Sequence, residues 1–210
     1  MPTFSQRITV GTNNGFASRT GGDYGGRTGQ SSPGFLYNAD VVSASIYDYG
    51  SWMRFTSVTI PQGASIVSAS IDFRSNATTG TIPSTKLWAE AADNPTAPTS
   101  AADYTGRTLT TASTSWTPST WTVASTYTSP DIAAVIQEVV NRAGWVSGNA
   151  LQVFWDDAVT GWPGAISYIG ADSLDGSSAN CPIITIVYTD GLPVVRPVRG
   201  LSQAVNRAVY

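Results

Sequence analysis

Apolar residues recur two positions apart through most of this chain, in short runs broken by Gly, Pro, Ser and Asn. Between residues 65 and 74, Ile66, Ala69, Ile71 and Phe73 are set against Ser68, Ser70, Asp72 and Arg74, the spacing of a strand with one face turned inward. Leu151, Val153 and Trp155 alternate in the same way with Gln152 and Phe154. Strand-like segments are predicted at 44–49, 52–60, 65–74, 85–91, 115–124, 150–156, 165–170 and 182–189. Many short strands joined by turn residues predict an all-β fold, a sandwich or barrel. The run Pro182-Ile-Ile-Thr-Ile-Val-Tyr188 is more continuously apolar, which predicts a central strand covered on both faces.

One segment carries the helical period instead. In 129–143, Ile132, Val135, Ile136, Val139 and Val140 fall on one stripe. Ser129 suits an N-cap, Pro130 the first helical position, Asp131 the positive end of the dipole, and Gly144 a left-handed stop. This predicts one short α-helix closing an open end of the sandwich.

The flanks differ from the middle. Residues 11–34 are dominated by Gly, Asn, Ser and Thr and bury too little to order themselves, so a long loop pinned by Phe16 and Tyr24 is expected. The last twenty residues follow a complete final strand. Pro193 and Pro197 make 192–199 extended, and Leu201, Ala204, Val205, Ala208 and Val209 then form a short apolar stripe beside Arg199 and Arg207. A helix this short needs a surface to dock on, either its own domain or, the reading favoured, a neighbouring subunit or partner. The chain thus divides into an N-terminal strand and Gly-rich arm (1–34), a β-sandwich (35–190) and a C-terminal docking arm (191–210). Val194, Val195, Val198, Leu201, Val205, Val209 and Tyr210 are the residues expected to meet a partner.

Composition narrows the function. Charged residues are 12% of 210, the formal net charge is −3, and Lys86 is the one lysine. No basic face can neutralise a run of phosphates, which argues against nucleic acid as a partner. No stretch approaches the ~20 apolar residues of a membrane-spanning helix. The opening residues, Met1-Pro-Thr-Phe-Ser-Gln-Arg-Ile8, lack a basic segment followed by an apolar run, so synthesis in a cytoplasm without a secretory signal is expected. The lone cysteine, Cys181, cannot form an intrachain disulfide and is expected in the core.

Candidate chemistry is sparse. Histidine is absent, which removes the usual general base, the commonest transition-metal ligand, and any Ser-His or Cys-His nucleophile. Gly21-Gly-Asp-Tyr-Gly-Gly26 lacks the Lys-Ser/Thr ending and the strand-to-helix setting of a phosphate loop. Asp156 and Asp157 are adjacent on a strand and so face opposite sides, poorly placed for shared acid–base work. Asp172, Asp175 and Gly176 match a calcium loop only faintly. No catalytic, cofactor-binding or metal-binding residue is assigned. Trp and Tyr are numerous, and Trp116, Trp121, Trp155 and Trp162 are the candidates for sugar stacking, with Trp162, beside Pro163-Gly164, the leading glycan platform.

Between Trp121 and Tyr188, Ser129-Pro-Asp-Ile132, Val135-Ile-Gln-Glu-Val-Val140, Arg142, Gly144-Trp145 and Gly148-Asn-Ala-Leu151, together with the earlier run from Val58 to Phe73, resemble the DNRLRE-type jelly-roll modules. Such modules occur in tailed-phage structural proteins and in bacterial surface and carbohydrate-binding proteins. Asn141-Arg-Ala143 departs from the Asp-Arg-Pro expected at the helix end. The likeness covers half to two-thirds of the chain and implies a fold, a jelly-roll β-sandwich, without encoding a ligand site. With the flanking arms it implies a non-enzymatic virion protein: a capsid decoration or head-fibre protein, a homo-oligomer with a trimer favoured, fastened to the major capsid protein or another virion protein. A carbohydrate-binding module, or a receptor-binding tail or baseplate protein, is the alternative.

Overall fold

The computed structural model describes residues 1–18, 24–25, 35–39, 49–76, 84–157, 168–174 and 177–190. Along the chain run β1 (Thr3–Arg7), a 3-10 turn at Gly11–Asn13, β2 (Asn14–Ser18), β3 (Tyr24–Gly25), β4 (Phe35–Ala39), β5 (Tyr49–Phe55), β6 (Ser65–Arg74) and β7 (Thr85–Ala89). There follow α1 (Ala101–Thr105), β8 (Thr114–Trp116), β9 (Thr126–Thr128), α2 (Ala133–Val140), β10 (Leu151–Asp157), β11 (Tyr168–Asp172) and β12 (Ile183–Thr189). Part of the Gly-rich region expected as a long loop is therefore strand, because β2 pairs along β5 from Asn14 opposite Met53 to Ser18 opposite Tyr49.

The strands form two antiparallel sheets, in the orders β1-β12-β6-β9 and β11-β4-β5-β10-β7-β8, with β2 and β3 joined to the second. Setting aside β2, β3, β4 and β11 leaves eight strands. Numbered 1 to 8 along the chain, they lie in the orders 1-8-3-6 and 2-7-4-5. That is the double Greek key of a jelly roll, and the all-β sandwich expected from the alternation is the fold. The N-terminal strand is integral to it, since Thr3 to Arg7 pair with Val187 to Ile183.

The inward residues of the two sheets meet in one core. Ala69, Ile71 and Phe73 of β6 and Ile184 and Ile186 of β12 face Met53, Phe55, Leu87, Val153 and Trp155. Its densest part is aromatic: Trp155 lies 5.0 Å from Phe73, 5.1 Å from Trp116 and 5.9 Å from Trp121 between ring centroids. Trp121 stacks flat on Tyr127 at 4.7 Å. The Trp155 indole N–H donates to Thr85 Oγ1 at 2.9 Å, and that hydroxyl donates to the Trp116 carbonyl. A buried indole is thus satisfied without water.

Double coverage falls on a different strand from the one expected. β12 alternates, with Ile184, Ile186 and Tyr188 buried and Ile183, Thr185, Val187 and Thr189 half-buried. In β10 every residue from Leu151 to Asp156 is buried. The cause is a second apolar layer on the outside of the larger sheet, where α1 lays Ala101 and Tyr104 over Trp52, Phe154 and Ala17. Ser100 starts α1 by accepting from the Asp103 N–H.

The expected helix is present but shorter than 129–143. Residues before Ala133 are held by β6 instead: Ser129 N–H donates to the Ile71 carbonyl, Ile132 N–H to the Ala69 carbonyl, and Ser129 Oγ accepts from Ile71 N–H. Ser129 is not the cap. Ile132 occupies the cap position without a side-chain cap bond, and Asp131 Oδ1 just before it accepts from Ala133 N–H and also from Ala69 N–H. The stripe Ile132, Val135, Ile136, Val139 and Val140 is buried as expected. Gly144 is not the left-handed stop, a conformation adopted among the described glycines by Gly63 and Gly148. Its requirement is for space, since a Cβ there would collide with the Asp93 carboxylate, which Arg142 holds at 2.6 Å.

Candidate functional site

Most carboxylates whose side chains are described are committed to holding the fold. Glu90 is buried and bound by Arg107 at 3.0 Å and by Gln152 at 2.8 Å. Burial pushes the Glu90 carboxyl above the ordinary glutamate range, against the pull of Arg107. The bond from Arg107 holds Asp103 below the ordinary aspartate range. Burial works against the Arg107 cation, but its bonds to Asp103 and Glu90 outweigh this and raise its pKa. Arg107 also donates to the carbonyls of Thr96 and Ala97, and Arg54 to that of Pro95. These arginines therefore tie the segment preceding α1 onto the larger sheet. Asp156 accepts from the Tyr104 hydroxyl at 2.7 Å, and Glu138 accepts from the N–H groups of Thr111 and Ala112. Among the described residues no three His, Cys, Asp or Glu side chains converge as metal ligands.

The aromatic candidates divide. Trp116, Trp121 and Trp155 are core residues and are unavailable as sugar platforms. Trp116 and Trp155 lie on strands, whose period is the same whether the indoles face solvent or the opposite sheet, so spacing could not decide between the two. Trp162 lies outside the described residues. So do Val194, Val195, Val198, Leu201, Val205, Val209 and Tyr210 of the C-terminal arm, and Asp175 and Gly176. Trp88, on β7, is half-buried, with the Lys86 ammonium 5.9 Å from its ring centroid. Cys181 is buried as expected, its thiol donating to the Ile8 carbonyl, and burial raises its pKa.

One concave feature carries charges that form no ion pair among the described residues. At the end of the smaller sheet, Arg7, Asp72, Phe73, Arg74, Thr126, Ala179, Asn180, Cys181 and Ile183 line a cleft of about 250 Å³. Pairing fixes its floor: Arg7 lies opposite Ile183, Ile183 opposite Asp72, and Asp72 opposite Thr128, all on the outward face. Arg74 follows two positions on and is paired with Thr126. Arg7 Nη1 donates to the Cys181 carbonyl at 2.8 Å, and Thr128 Oγ1 donates to Asp72 at 2.5 Å. Among the described residues, neither arginine forms an ion pair with Asp72; the ion pairs there belong to Arg107 and Arg142. The cleft lies outside the residues singled out from the sequence as candidate sites. Its signal was the outward Asp72 and Arg74 of β6, but their neighbours on β1 and after β11 are known only once the strands are ordered.

Compared with known protein families and with curated proteins, the sequence shows no match.

Proposed function

We propose that this chain is a non-enzymatic virion structural protein, a jelly roll displayed on a phage particle as capsid decoration or head fibre and fastened through residues 191–210. The observation that supports the reading is where the domain ends. β12 is an interior strand of the smaller sheet, flanked by β1 and β6, and Tyr188 N–H donates to the Pro2 carbonyl at 3.1 Å. The double Greek key is therefore finished at Thr189, and the chain leaves it beside its own first residues. The last twenty residues carry in sequence an apolar stripe flanked by Arg199 and Arg207, and the attachment proposed is through them. Attachment to the major capsid protein or another virion protein, with three copies meeting at a symmetry axis, is the arrangement proposed. The commitment of most described carboxylates to arginines, hydroxyls and backbone amides supports a holding role over a hydrolytic one.

The test is incorporation. Particles assembled in the presence of the full chain and of a chain ending at Asp190 are purified by sedimentation and assayed for the protein. Full-length protein in stoichiometric amount, with the shortened chain folded but left in the supernatant, is the expected outcome. Absence of the full-length chain from particles contradicts the proposal.

A further inference from the structure

We propose that the cleft between Arg7 and Arg74 binds one singly charged anionic unit of a saccharide or polyol chain, its oxyanion held by the two guanidinium groups and its hydroxyls by Asp72, Asn180 and Thr126. The lining sets the charge of the ligand. Two arginines and one aspartate leave a net charge of +1 in the cleft. A dianion such as inorganic phosphate meets Asp72 as a repulsive neighbour, and a neutral sugar leaves both guanidinium groups without an anionic partner. A carboxylate or phosphodiester carrying adjacent hydroxyls satisfies both kinds of group at once. Asp72 then accepts from hydroxyls, and the Asn180 amide can both donate and accept.

The geometry suits one unit rather than a long stretch. Arg7 and Asp72 lie on strands flanking β12, two strand spacings or about 10 Å apart at their Cα atoms. The volume of about 250 Å³ falls below that of the pockets that enclose drug-sized ligands, roughly 300–1,000 Å³. Arg7 is aimed by its bond to the Cys181 carbonyl. Arg74, held by no ion pair among the described residues, is free to close on the anion. The Ile183 side chain, half-buried between Arg7 and Asp72, gives an apolar floor for the C–H face of a ring. The described residues that line the cleft lie outside residues 191–210, so the inference and the proposed attachment are tested separately.

The test is an amide-shift titration of the full chain with methyl glucuronide, glycerophosphoglycerol, methyl glucoside and inorganic phosphate. Saturable millimolar binding of methyl glucuronide or glycerophosphoglycerol, mapped to Arg74, Asn180 and Ile183, is expected, and the tighter of the two identifies the anion as carboxylate or phosphodiester. Arg74→Gln should weaken it about tenfold or more, the loss of one charge-assisted contact, with an unchanged urea midpoint. The proposal is overturned if neither anionic probe saturates or the neutral glucoside binds equally well. It is equally overturned if inorganic phosphate binds as tightly as the better probe, or if Arg74→Gln binds like the unsubstituted chain.

Discussion

Trp155→Ala removes the indole at the centre of the aromatic cluster, and its cost can be worked from the structure. The side chain is fully buried and lies within 6 Å of the rings of Phe73, Trp116 and Trp121. Burying roughly 200 Å² at about 25 cal/mol per Å² gives about 5 kcal/mol, and measured Trp→Ala losses in cores run about 3–5 kcal/mol. The Thr85 hydroxyl loses the indole donor but keeps its own bond to the Trp116 carbonyl, so no buried hydroxyl proton is stranded. A loss of about 4 kcal/mol corresponds to a fall in Tm of about 8–16 °C for a domain of this size. Urea unfolding followed by far-ultraviolet circular dichroism reads it independently of tryptophan emission. Trp155→Phe, which keeps a ring and gives up the bond to Thr85, should lose only about 1–2 kcal/mol. A Trp155→Ala protein destabilised by less than about 1 kcal/mol would refute a core centred on this cluster.

Three further outcomes follow from named contacts. Because Glu90 has a raised folded pKa, its contribution is present below the ordinary glutamate range and is lost as pH rises through the folded value; Asp103, depressed, contributes above the ordinary aspartate range and loses it as pH falls through its folded value. Glu90→Gln should therefore flatten the decline of the urea midpoint above the ordinary glutamate range, and an unchanged slope contradicts the assignment. Native protein should resist alkylation of Cys181 at pH 8 and react fully in urea, as mass spectrometry would show; rapid native labelling contradicts its burial. Gly50→Ala should cost about 1–3 kcal/mol, because its Cβ would collide with the Tyr104 hydroxyl and the Asp156 carboxylate; a neutral urea midpoint would show that this outer layer is not packed as described.

Alternation was readable wherever a strand packs on one side. The bounds of β6 and the inward set Ala69, Ile71 and Phe73 follow from period two alone. What escaped was what packs on the second side. The layer of Ala101 and Tyr104 over Trp52 and Phe154 joins segments some fifty residues apart, and no local pattern in β10 announces a cover for Phe154. The three residues of β9 are too few to show a period, and the segment 115–124, read as one strand, is strand only at its start because Trp121 turns into the core beyond β8. Helix α2 was legible from its stripe, while its start was not, since Ser129 has a cap residue's chemistry but is bonded to β6. The cleft was least legible of all: Arg7, Asp72, Arg74 and Asn180 come from three distant parts of the chain, and only the 1-8-3-6 order brings them together.

The most direct test of the account is the solution mass, by light scattering, of the full chain beside one ending at Asp190. A complete jelly roll with a separate attachment arm requires the shortened chain to be a folded monomer with the urea midpoint of the full chain, and the full chain to be a trimer or larger. Two monomers would contradict self-assembly through the arm, and a shortened chain that fails to fold would contradict a domain finished at Thr189.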